Sequence, residues 1–77
     1  MNDDLRKVFS KRLKTLREKK WETAAECADH MGMPHHRYRN WEAGRALPRT
    51  PELRELAIIH KTSADFLLGL DIDPWVN

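Results

Sequence analysis

The chain has 77 residues, a formal net charge of +2 at neutral pH and 40% hydrophobic residues. That length gives one domain near the lower limit for a self-sufficient core, with no room for a nucleotide-binding sheet or a separate sensor domain. The single cysteine excludes an internal disulfide and fits a reducing cytosol; no apolar run suits a signal peptide or a membrane span, so the expected location is cytoplasmic.

In chain order, Asn2-Asp3-Asp4 reads as an N-cap cluster with acids at the positive end of a helix dipole. Leu5, Val8, Phe9, Leu13 and Leu16 then recur at helical spacing to about Lys19, opposite a basic face. Thr23-Ala24-Ala25-Glu26 is a capping box, since the hydroxyl and the carboxylate can each accept the other residue's amide. It starts a short helix ending at His30 or Met31, with Ala24, Cys27, Ala28 and Met31 inward and Trp21 covering the corner before the cap. Gly32 suits a sharp turn, Pro34 the first position of a third helix, and Gly44 its stop. At about 100° per residue, Tyr38 and Trp41 face inward while His36, Arg39, Asn40 and Ala43 face outward, flanked by His35 and Arg37.

Arg45 to Arg49 is a loop from which Leu47 plugs the core edge. Thr50 is the expected cap of a fourth helix, with Pro51 at its first position and Leu53, Leu56, Ala57 and His60 on one face. Ser63 caps a fifth helix carrying Phe66, Leu67 and Leu70. No segment has the alternation of a strand, so the expected fold is all-α, a compact five-helix bundle. Residues 1–70 form its single domain, and 71–77 are a C-terminal tail packing on the core or on a dimer interface.

Charge is segregated along the chain. Arg6, Lys7, Lys11, Arg12, Lys14, Arg17, Lys19 and Lys20 are followed by an acidic stretch with Glu22, Glu26 and Asp29. Arg37, Arg39, Arg45 and Arg49 come next. Two basic patches around an acidic one suggest one basic face, the footprint of a phosphate-backbone binder. An α-helix fits the major groove of DNA, where Asn reads adenine, Arg reads guanine and His donates or accepts at a purine edge. Arg45 and Arg49 are the leading phosphate contacts, with Arg37, Lys11, Lys14 and Arg12 beside them.

Taken together, Arg17, Thr23 through Ala28, Gly32, Trp41-Glu42-Ala43-Gly44 with Pro48, and the Ser63-to-Gly69 segment resemble the lambda-repressor-like helix-turn-helix domain, the Xre family of phage repressors and small bacterial regulators. The likeness runs from about Phe9 to Gly69. It implies a regulator of transcription, most simply a repressor, that binds a palindromic operator in double-stranded DNA as a homodimer. It implies that His35, His36 and Asn40 contact bases and that Arg39 contacts base or phosphate. It also implies that Arg17 and Glu42 form a buried ion pair of structural purpose. Ala24 stands where the family often has a phosphate-bonding Gln, and His60-Lys61 where Leu-Gly is usual.

Ile58, Ile72, Trp75 and Val76 are apolar and hard to bury in so small a core. Self-association covers them most simply, with Ile58, Ala64, Ile72 and Trp75 as the dimer surface. Cys27, His30, His35 and His36 do not make a metal site, because Cys27 faces inward and no paired Cys-x-x-Cys exists. With no phosphate loop and no nucleophile–base set, no enzyme, cofactor or small-molecule ligand is expected. The rival reading is an antitoxin-like or other protein-interaction module of the same fold.

Overall fold

The computed structural model describes residues 2–70, apart from the side chains of Asn2 and Asp3. These residues form α1 (Asn2–Glu18), α2 (Ala24–Met31), α3 (His35–Glu42), α4 (Thr50–Ile59) and α5 (Ala64–Leu67), with no strand among them. Helix α3 packs on α1 and α2, and α5 joins α1 to α4. The core comprises Phe9 and Leu13 of α1, Cys27 and Ala28 of α2, Tyr38 and Trp41 of α3, Leu56 of α4 and Leu67 of α5. Leu16, Trp21, Ala24, Met31, Met33, Leu47 and Leu53 pack around it, half-buried. Each helix thus contributes one apolar stripe to a shared interior, and the polar faces are left outside.

Helix starts follow local hydrogen bonding. The Thr23 hydroxyl accepts from the Glu26 N–H at 3.2 Å, and the Glu26 carboxylate accepts from the Thr23 N–H at 2.9 Å, so the capping box is complete. The Ser63 hydroxyl accepts from the Phe66 N–H at 3.0 Å. Three expected starts move by one or two residues. Asn2 already lies inside α1, so Asn2-Asp3-Asp4 is a first turn and not a cap. Pro34 is the cap of α3, because its extended backbone (φ −61°, ψ 140°) sets the entry and helical geometry begins at His35. Thr50 is the first residue of α4 and Arg49 its cap, so Pro51 occupies the second position. The carboxylate of Glu52 accepts the Arg49 N–H at 3.0 Å, which fixes the start there; the guanidinium of Arg49 has no acceptor atom to close the other half of a box.

Four helix ends share one closure. After α2, Gly32 donates to the Asp29 carbonyl and Met33 to that of Ala28, both at 3.0 Å. The same pairing, with a residue in the left-handed region at its centre, recurs at Gly44, Lys61 and Gly69. Lys61 is the odd member: at φ +52° its Cβ is strained where glycine's absence of one is not. Lys61→Gly is therefore expected to raise stability by about 1 kcal/mol, a gain of several degrees in melting temperature. A thermal melt that does not move, or that falls, would remove this account.

His60 is buried, and neither ring nitrogen has a hydrogen-bond partner among the described residues. Trp21 stands edge-on to it, with ring centroids 6.0 Å apart, and Trp21 also lies against His30 at 5.0 Å. Burial, and then the Lys20 ammonium, hold the His60 imidazole below its ordinary range, against an opposing pull from Glu42. The ring therefore stays neutral in the folded chain at a pH where the unfolded chain already binds the proton. Stability should be level above about pH 6.5 and fall as the pH drops below it, towards the depressed folded value. His60→Leu should flatten the decline between pH 7 and 5 in thermal melts; an unchanged slope would assign the decline to other groups.

Candidate nucleic-acid interface

Helix α3 is held from beneath by a charged and aromatic anchor. Nε and Nη2 of Arg17 donate to the two oxygens of Glu42, at 3.0 and 2.9 Å, in a bidentate fork. Nη1 of Arg17 donates to the backbone carbonyls of Trp21 at 3.2 Å and Glu22 at 2.7 Å. The Tyr38 hydroxyl donates to Glu42 at 2.7 Å, and the Tyr38 and Trp41 rings meet edge-on at 5.7 Å. Both side chains of the ion pair are nearly buried, at 7% and 9% exposure, so the pair is shielded from solvent screening. Donation to the Glu42 carboxylate, more than any other influence, raises the Arg17 guanidinium above its ordinary range. Burial does most to raise the Tyr38 phenol and the Cys27 thiol.

The opposite face of α3 is polar. His36 and Arg39 are exposed and Asn40 half-buried, with Arg45 close enough to donate weakly to the Asn40 side-chain oxygen at 3.5 Å. His36, Arg39, Asn40 and Arg45 thus form one contiguous surface. Arg49 is exposed at the start of α4. The other side chains expected at the site lie elsewhere or are engaged. His35 Nε2 lies 2.7 Å from an Asp29 carboxylate oxygen, tying α3 to α2. Arg37 is paired with Glu52 of α4. Lys14 is exposed on α1. Lys11 borders a groove between α1 and α5, lined also by Val8, Arg12, Thr15 and Phe66 and by no residue of α3. Arg12 donates to the Phe66 carbonyl at 2.7 Å and lies over the Phe66 ring at 4.5 Å.

Sequence reasoning missed the acids. Asp29 engages His35 and Glu52 engages Arg37, both from α3, and only Glu52 carried a signal, its three-residue spacing from Arg49. Ile58, 61% exposed, and Ala64 line an open groove of about 440 Å³ between α4 and α5, with Leu53, Ala57 and Thr62. The expected contributions of Ile72 and Trp75, and the tail as a whole, lie outside the described residues. Among the described residues no three His, Cys, Asp or Glu side chains are grouped to hold a metal ion, and no helix is long and apolar enough to cross a membrane.

Two short helices joined at Gly32, the second anchored by its aromatic face and presenting a cationic and amide-bearing one, define a helix-turn-helix DNA-binding domain. The chain belongs to the helix-turn-helix domain family, which it matches over residues 8–67. No curated protein and no solved structure matches it.

Proposed function

We propose that the chain is a sequence-specific transcriptional regulator of the lambda-repressor-like, Xre type, acting as a repressor that occludes polymerase in the cytoplasm. The observation that carries the reading is the division of α3: a bidentate ion pair and two buried rings on one side, His36, Arg39 and Asn40 on the other. In this reading His36, Arg39 and Asn40 meet base edges, with His35 beside them, and Arg45 and Arg49 meet phosphates, supported by Lys14 and Lys11. Two protomers, joined across the α4–α5 groove through Ile58 and Ala64, set their reading helices about 34 Å apart on a palindromic operator. The chain has no catalytic task in this scheme and needs no cofactor.

The test is an electrophoretic mobility shift with random-sequence duplex at low salt, followed by a salt titration. Binding that weakens steeply with salt supports the reading, since phosphate contacts release counterions. Absence of binding at low salt would favour the protein-interaction module, antitoxin-like or otherwise.

A further inference from the structure

Glu52 sends its two carboxylate oxygens in different directions. Oε1 accepts the backbone N–H of Arg49, and Oε2 pairs with Nη1 of Arg37. The Arg37 guanidinium also lies 6.0 Å from the centre of the Trp41 ring, one turn further along α3. Its side chain is 44% exposed and that of Glu52 only 19%, so the acid is the more buried partner. One carboxylate therefore ties the reading helix to the residue that starts α4, across the loop carrying Arg45.

An Arg37 that swung out to a phosphate would give up its Nη1 pairing with Glu52. The freed carboxylate would then stand unpaired and partly buried beside a polyanion, where its charge repels. We propose that Arg37 is a positioning residue and not a phosphate contact: with Glu52 it sets the angle between α3 and the Arg45–Arg49 loop. This rests on the DNA-binding reading above.

The two roles differ in sign and in salt response. A phosphate contact at Arg37 makes Arg37→Gln reduce the slope of log affinity against log salt by about 0.9 per protomer, and makes Glu52→Gln tighten binding by removing a repulsive charge. A positioning pair makes both substitutions weaken binding by a similar factor, roughly three- to tenfold, with the slope unchanged. The double substitution should then be no worse than either single one, because the two act as a unit. Glu52→Gln suits the purpose because an amide oxygen can still accept the Arg49 N–H. The experiment is a salt-series DNA titration of the four proteins, with thermal melts to confirm that each is folded. A reduced slope for Arg37→Gln, or tighter binding for Glu52→Gln, overturns the proposal alone. A wild-type chain that binds no duplex at low salt overturns the DNA-binding reading, and the proposal with it.

Discussion

Glu42→Ala is expected to destabilise the fold by about 3–5 kcal/mol, the range for removing one partner of a buried ion pair. Three groups lose their acceptor at once. Two are the Nε and Nη2 donors of Arg17, whose side chain is 7% exposed; the third is the fully buried Tyr38 hydroxyl. A domain of this length has a total stability of roughly 4–11 kcal/mol, so the loss takes a large share of it. The melting temperature should fall by roughly 15–30 °C, read by circular dichroism. Arg17→Met with Glu42→Leu serves as the comparison. It removes both charges together, leaves neither stranded, and should lose less than Glu42→Ala alone. A Glu42→Ala melt within a few degrees of wild type would show that the pair braces nothing.

His36→Ala and Asn40→Ala are expected to relax base preference at one position each, by about 1–3 kcal/mol per lost contact, or roughly 5- to 150-fold. Folding should be nearly untouched, because His36 is exposed and alanine is the better helix former at both positions. The salt slope should hold as well, since the asparagine carries no charge and the histidine is assigned to a base. Selection of bound sites from a random duplex library, run with wild type and each variant, reads the change directly. Identical preferences in all three would sink the assignment of the reading face.

The architecture was legible where it depended on local rules. The capping box at Thr23, the turn at Gly32 and the inward Tyr38–Trp41 pair follow from spacing along one stretch of chain, and the structure places them accordingly. Helix starts at Asn2, Pro34 and Thr50 were less so, because a cap is set by the direction in which the backbone enters. The Arg17–Glu42 pair spans 25 positions, and only family likeness pointed to it. Nothing in the spacing of His35 and Asp29, or of Arg37 and Glu52, reveals contacts made across helix packing. A count of cations therefore overstates the charge free to meet a phosphate backbone. The His60 nitrogens, without a partner among the described residues, have no signature in sequence either, since its position on the helical stripe would suit a leucine equally well.

The inward placement of Cys27 has a consequence for chemistry outside the fold. It is the chain's one cysteine, fully buried, and its thiol is pushed up, chiefly by burial, away from the reactive thiolate. While the bundle is closed, alkylating and oxidising agents do not reach this thiol; when it opens, they do. Capture of that thiol is irreversible for an alkylating agent, and it would remove chains from the folded pool as they open. Loss of chains through this sulfur thus depends on how often the helices open, and alkylation of Cys27 reports that opening.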